Sequence, residues 1–394
     1  MMDKKIIYMD HAATTYTAKE VVEAMIPYFS DEFGNPSSVY SIGQSNKKVL
    51  DLARKQAASA INAQPDEIFF TNGGTESDNW ALKGAAFANE RKGKHIITTS
   101  IEHHAVLHSC EWLASRGFEI TYLPVDKFGM VSPESVEKAI RQDTILISVM
   151  YANNEVGTIQ PIAEIGKIAR KHGICFHTDA VQAVGHVPID VVSENIDLLS
   201  LSGHKLYGPK GIGALYIRKG TRIQSFMHGG AQERKRRAGT ENVPGIVGLG
   251  AAIERAVTHL PEEMDRLTDL RNELTRELLK IPATHLNGHP TKRLPNNTNI
   301  IFEYIEGESV LLLLNMKGIC ASTGSACNSA SLEPSHVLTA MGIPHEIAHG
   351  SIRLTIGERT TAEDVKIVTA ALKETVEKLR AMSPLTPKEL KNVQ

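Results

Sequence analysis

From about residue 17 to about 257 the sequence alternates between segments with helical apolar spacing and short runs rich in β-branched and aromatic residues. That alternation restricts the fold more than any other feature. Helices are expected over 18–29, 46–61, 77–91, 105–115 and 162–172, with strands over 67–71, 95–99, 120–123, 144–149, 173–179 and 197–202. Such a pattern predicts an α/β fold: a mostly parallel sheet with helices on both faces. Sheets of this kind bind ligands beyond the carboxyl ends of their strands. Gly73-Gly74-Thr75, His103, Asn154, Asp179 and Lys205 all fall at such ends, and five useful groups at five strand ends are hard to assign to chance. After a long charged helix expected over 254–280 come a strand at 299–302, a helix at 307–316, a Gly/Ser/Cys loop, a strand at 351–356 and a helix at 362–381. These form a smaller α+β unit, and the stretch from Ser383 onward reads as a loosely held tail.

Composition narrows the function. A formal net charge of -2 gives no reason to expect nucleic acid or an anionic membrane as partner. No apolar run approaches the length that spans a bilayer, and the first ten residues hold no signal-peptide apolar region. The four cysteines, at 110, 175, 320 and 327, are too few for a disulfide framework and fit a reducing, cytoplasmic setting.

The chemistry centres on Ser202-Gly203-His204-Lys205, where a buried strand runs into a turn braced by Gly208-Pro209. A lysine delivered this way is suited to condense with an aldehyde. Upstream, another strand ends in Asp179, followed by Ala180-Val181-Gln182. A lysine for the aldehyde and a carboxylate for the pyridinium nitrogen are the pair that pyridoxal phosphate requires. Each residue alone also reads as an ordinary strand-end polar group. The Gly73-Gly74-Thr75 turn is either an anion cradle or a plain Gly-rich connection with a helix cap. The basic run Arg234-Lys235-Arg236-Arg237 is flanked by Gly229-Gly230 and Ala238-Gly239-Thr240, which favours an ordered loop near an anion over a nucleic-acid patch. His103 can stack on a ring and shuttle a proton, or be structural. His104, His108 and Cys110 lack a fourth ligand at a structural-zinc spacing. Cys327, within Ser325-Ala326-Cys327-Asn328-Ser329, is either a used nucleophile or a chance surface thiol. His345-Glu346-Ile347-Ala348-His349 matches a zinc-peptidase pattern, but Pro344 and Gly350 leave too little helix for it.

Together these residues resemble the cysteine desulfurases, aminotransferase-like pyridoxal phosphate enzymes of iron–sulfur cluster biosynthesis. The motifs that carry the likeness run from Tyr8-Met9-Asp10-His11-Ala12-Ala13-Thr14-Thr15 to about Thr361. They include Asn35-Pro36-Ser37-Ser38, Gly74-Thr75-Glu76-Ser77, Glu102-His103, Asn153-Asn154-Glu155-Val156-Gly157, Asp179-Ala180-Val181-Gln182, Ala238-Gly239-Thr240-Glu241-Asn242, Gly324-Ser325-Ala326-Cys327 and Ser351-Ile352-Arg353. The long small-residue cysteine loop is similar to that of the first of the family's two classes, and His11 departs from a usual Asn.

The resemblance implies the fold type I transferase architecture, with a large cofactor-binding domain over 15–257 and a small domain over 1–14 and 258–394. Lys205 would hold pyridoxal 5'-phosphate and move the substrate α-proton, Asp179 would pair with the ring nitrogen, and His103 would stack on the ring. Gly74, Thr75, Ser202 and His204 would hold the phosphate, with Thr240 supplied by the other subunit of a homodimer. Asn154 and Gln182 would contact the ring, Arg353 would clamp the carboxylate of L-cysteine, and Asn154 would also meet the substrate. Cys327 would attack the substrate sulfur, leaving alanine and a persulfide. The sulfur would then pass to a protein acceptor such as an iron–sulfur scaffold, and Cys327 would contact a cluster in transit. No resident metal is expected. A selenocysteine lyase or a cysteine-sulfinate-acting relative is the alternative within the cofactor class. Outside it stand the zinc peptidase and a sulfur-carrier docking scaffold.

Overall fold

The structure is a computed structural model that describes residues 6–324 and 334–391. Its largest element is a seven-stranded sheet built from β2 (Ile68–Thr71), β3 (His95–Thr99), β4 (Glu119–Leu123), β5 (Thr144–Ser148), β6 (Cys175–Asp179), β7 (Leu198–Ser202) and β8 (Gly213–Ile217). The order across the sheet is β2-β8-β7-β6-β5-β3-β4. The five strands from β7 to β4 run parallel, and β8 enters antiparallel between β2 and β7. The mostly parallel arrangement expected from the alternation is therefore present, with one strand the pattern did not reveal.

Neighbouring strand residues face opposite sides, so each strand feeds two cores. Ile96, Leu146 and Leu198 pack with Trp80, Val106 and Leu113 from helices Gly74–Asn89 and His104–Ala114. The adjacent Ile97, Ile147 and Leu199 pack on the other face with Leu50, Ile165 and Leu249, from helices Ser41–Ser59, Ile162–His172 and Val243–Thr258. Strands buried on both sides read as continuous apolar runs, which is why β5 and β7 were legible without alternation.

A separate antiparallel sheet has β10 (Asn297–Phe302) between β9 (Thr284–Asn287) and β12 (Ser351–Thr355). Its core joins Ile300, Ile352 and Leu354 to Leu274 and Leu372, and it also takes in Ile7 and Met9 from the other end of the sequence. The N-terminal strand β1 (Ile7–Tyr8) pairs in parallel with β11 (Ile319–Cys320).

Three elements differ from expectation. The helix expected over 254–280 is two helices, Val243–Thr258 and Leu260–Leu278, because Pro261 cannot donate to the preceding turn and the chain bends at His259. Pro27 likewise divides Lys19–Met25 from Pro27–Ser30. The tail is held better than expected: Thr386 is buried and Lys388–Lys391 forms a helical turn. Among the described residues no helix is long and apolar enough to cross a membrane.

Candidate active site

The carboxyl ends of the central strands open into a cavity of 480 Å³, which Gly74, Thr75, His103, Asn154, Asp179, Gln182, Ser202, His204, Lys205 and Arg353 all line. Ten sequence-derived candidates, spread over 280 positions of the chain, thus share one space. Two do not join them. Thr240 is exposed and borders a separate 40 Å³ pocket beside Arg237 and Glu241. Cys327 lies outside the described residues, although Gly324, three positions earlier, lines the main cavity.

Lys205 closes a single helical turn, Gly203–Lys205, that follows β7 directly. Its Nζ donates to the carbonyls of Ala12 at 2.5 Å and Ala13 at 2.7 Å. The Gln182 amide donates to the same Ala12 carbonyl at 3.0 Å. Asp179, at the end of β6, is buried and accepts the Val181 N–H at 2.9 Å. Burial lifts its pKa to about 6, against the opposing pull of that N–H and of the Lys205 charge. His103 caps the helix that follows it, its Nδ1 accepting the Ala105 N–H at 3.2 Å, so the neutral ring carries its proton on Nε2. Burial, followed by the charge of Lys205, lowers its pKa to about 4.

The phosphate end is built on the turn between β2 and helix Gly74–Asn89. Gly73 has φ +138°, open to glycine and strained for other residues. The helix start has no side-chain cap, so its first N–H groups are available to an anion. Thr75, Ser202, His204 and Lys210 surround the adjoining 720 Å³ hollow, and His204 Nδ1 meets Thr14 Oγ1 at 3.0 Å. A glycine cradle, a half-buried lysine and a buried carboxylate fit the phosphate, aldehyde and ring nitrogen of pyridoxal phosphate.

Arg353 reaches the cavity from the smaller sheet. It is 3 % exposed; one terminal nitrogen donates to the Asn154 carbonyl at 3.1 Å, the other to Asp10 Oδ1 at 2.8 Å, and Nε has no partner. A buried guanidinium with donor capacity to spare is suited to a carboxylate ligand.

Sequence reasoning did not single out Asp10, the Ala12 and Ala13 carbonyls, or Asp78. The N-terminal motif that contains the first three gave a signal without a role. Asp78 lies one helical turn beyond Gly74, on the face turned to the cavity. The basic run at 234–237 is an ordered loop: Arg234 lies over the Phe69 ring at 4.0 Å and Arg237 pairs with Glu76 at 2.8 Å. The zinc-peptidase pattern has no sustained helix to support it, since His345–Ala348 is a single turn and His345 bonds to the capping His349 at 3.2 Å. Cys110, beside His104 and His108, is buried, and that burial pushes its thiol pKa upward.

The sequence profile of the "Aminotransferase class-V" family matches residues 7–368. "Cysteine desulfurase IscS" of Methanosarcina thermophila is 68% identical over 391 residues, covering 99% of this chain and 97% of that protein. The same-named protein of Clostridium botulinum (strain Hall) is 56% identical, with 98% of each covered. Among solved structures, a "NIFS-LIKE PROTEIN" superposes with a TM-score of 0.90 at 39% identity, covering 95% of this chain and 100% of the other. "SspA in complex with cysteine" gives 0.80 at 42% identity, covering 89% and 98%.

Proposed function

Because the chain belongs to the class-V aminotransferase family, a pyridoxal-phosphate-dependent family, and is a cysteine desulfurase, we propose that the 480 Å³ cavity is where it takes sulfur from L-cysteine. The observation that carries this reading is the convergence, in that one space, of Lys205, Asp179, His103, Arg353 and Gly324, three positions before Cys327.

Bound there, pyridoxal phosphate supplies a protonated ring that accepts electron density from the substrate α-carbon. Asp179 would pair with the ring nitrogen and keep it protonated. His103, neutral near pH 7, would cover the ring and offer Nε2 for proton exchange. Arg353 fixes the substrate carboxylate through Nε and a terminal nitrogen, while Asp10 fixes Arg353. Lys205, as the neutral amine and released from the Ala12 and Ala13 carbonyls, would take the α-proton. The Cys327 thiolate attacks the substrate sulfur, so that L-cysteine and the Cys327 thiol become L-alanine and a Cys327 persulfide, with no external oxidant. Covalent geometry lets the three residues from Gly324 to Cys327 span at most about 11 Å. Within that reach Cys327 would take sulfur from the substrate and then pass it to a protein acceptor such as an iron–sulfur scaffold.

A homodimer completes the phosphate site. Thr240 is exposed and off the cavity of its own chain, and Phe29, Phe33 and Val39 are 67%, 69% and 92% exposed, which supports an apolar face covered by a second copy. Cys327→Ala tests the reading. The variant is expected to keep the cofactor's visible absorbance and lose transfer of sulfur to protein; normal release of sulfur from L-cysteine by this variant would refute the role of Cys327.

A further inference from the structure

Asp78 is the buried group the reaction leaves unexplained. It is 1 % exposed, its Oδ1 has no hydrogen-bond partner, and it lines the cavity. Its carboxylate, that of Asp179 and a His103 ring nitrogen come within 4.8 Å of one another. A cation candidate, His177 Nε2, stands 3.6 Å from Asp78 Oδ1. Both His177 nitrogens are already engaged, with Ser148 Oγ at 2.9 Å and Ser200 Oγ at 3.1 Å. Burial lowers the His177 pKa to about 3, so this ring brings no charge.

Two carboxylates this close in an interior of low polarity do not both ionise. The groups facing them decide which one keeps the proton. Asp179 accepts the Val181 N–H and feels the Lys205 ammonium. Asp78 has neither, and Glu102, the third buried acid here, adds to its burden through charge repulsion. Burial and the Asp179 charge push the Asp78 pKa well above its ordinary value, against a hydrogen bond from Ser200.

We propose that Asp78 is a positioning residue which, as the neutral acid, turns its O–H toward Asp179 and leaves Asp179 as the single negative charge facing the cofactor's ring nitrogen. This rests on the reading of Asp179 as the partner of that nitrogen. A donor aimed at Asp179 makes its carboxylate a weaker base, so the shared proton stays on the ring. The orphaned oxygen of Asp78 is then the hydroxyl of a carboxylic acid, available to point across the gap.

The test compares wild type, Asp78→Asn and Asp78→Ala, with thermal melts to establish folding. Infrared spectra of the wild-type holoenzyme at pH 8 are expected to contain the C=O band of a buried protonated carboxyl that Asp78→Asn removes. Asn still donates an N–H, so Asp78→Asn is expected to hold pyridoxal phosphate within about threefold of wild type and to leave the pH titration of its visible absorbance in place. Asp78→Ala is expected to weaken binding about tenfold and to shift that titration. The proposal is overturned if Asp78→Asn weakens binding as much as Asp78→Ala, if Asp78→Ala matches wild type, or if the carboxyl band is missing. Should Asp78→Ala not fold, the infrared band and the Asn variant still decide. Lys205→Ala separates the two levels of inference. If it keeps the wild-type visible absorbance, the cofactor reading fails; if it loses it, only the role of Asp78 is being judged.

Discussion

Gly213→Ala should damage cofactor binding from the far side of a strand. Gly213 begins β8 and pairs with Thr71 of β2 on one side and Ser202 of β7 on the other. A methyl group there would lie 2.4 Å from the Leu201 carbonyl oxygen and 2.7 Å from the Gly73 Cα. Both obstacles are backbone, so no side-chain rotation relieves them, and restoring normal contact requires about 1 Å of movement. Overpacking of this kind costs about 1–3 kcal/mol. The softest response is outward displacement of the Gly73 turn, which carries the helix N–H groups of the phosphate cradle. Urea unfolding of the cofactor-free protein should register the stability loss, and fluorescence titration with pyridoxal phosphate should give at least a tenfold weaker Kd, about 1.4 kcal/mol. Gly220→Ala is the control: Gly220 has φ +93° with nothing within 4 Å of the added carbon, so it should lose about 1 kcal/mol of stability with no change in cofactor affinity. If Gly213→Ala unfolds earlier but binds the cofactor within twofold of wild type, the coupling between β8 and the cradle is wrong.

Arg353→Lys keeps the charge but cannot serve Asp10, the Asn154 carbonyl and a substrate carboxylate together, so KM for L-cysteine should rise about tenfold or more in steady-state assays. Burial raises the Glu102 pKa from 4.5 to about 8, so the folded state binds this proton more tightly than the unfolded chain. The resulting stability is complete below pH 4.5 and is lost as pH rises toward 8. Glu102→Gln should therefore lessen the decline of urea stability over that window by about 1 kcal/mol per pH unit, and parallel wild-type and variant profiles would contradict it. A methyl at Gly357 would stand 2.2 Å from His11 Nε2 and 2.5 Å from the Tyr207 hydroxyl. In a double-mutant cycle, Gly357→Ala should cost at least about 1 kcal/mol less beside His11→Asn than alone, and additive costs would rule out that contact.

How much was legible in the sequence depended on whether a residue's signal was local. Lys205 and Asp179 stood out because one closes the turn just after a mostly apolar strand and the other ends a buried strand, and a polar group there has few uses. β8 was missed because Gly213-Ala214-Leu215-Tyr216-Ile217 follows the conspicuous lysine turn closely, and its antiparallel entry between β2 and β7 depends on pairing, which leaves no periodic trace. The break at His259 was missed because the charged pattern runs through Pro261 without interruption, although the proline was there to be read. Asp78 was missed for a different reason. At helical spacing it reads as one more polar residue near a helix start, and only the position of β6 beneath it makes it a neighbour of Asp179.

The same dependence on long-range contact explains the N-terminal segment. Ala12 N–H donates to Thr355 Oγ1 at 2.9 Å, and His11 Nδ1 meets the Thr355 carbonyl at 2.8 Å, which ties the segment to the strand that carries Arg353. Three residues on, Thr15 N–H donates to the His204 carbonyl at 2.9 Å while Thr15 Oγ1 accepts the Tyr207 N–H at 2.9 Å, which ties it to the lysine turn. Between these two anchors lie the Ala12 and Ala13 carbonyls that receive Lys205 Nζ. Arg353 and Lys205, the proposed carboxylate clamp and reactive amine, lie on or just after strands of different sheets, yet a strap of five residues is tied beside both. Because the strap is tied to both sheets, a shift of one against the other is expected to strain the hold of those two carbonyls on Lys205. Two alanines, with no reactive side chain, thus take part in the cavity wall through their backbone carbonyls.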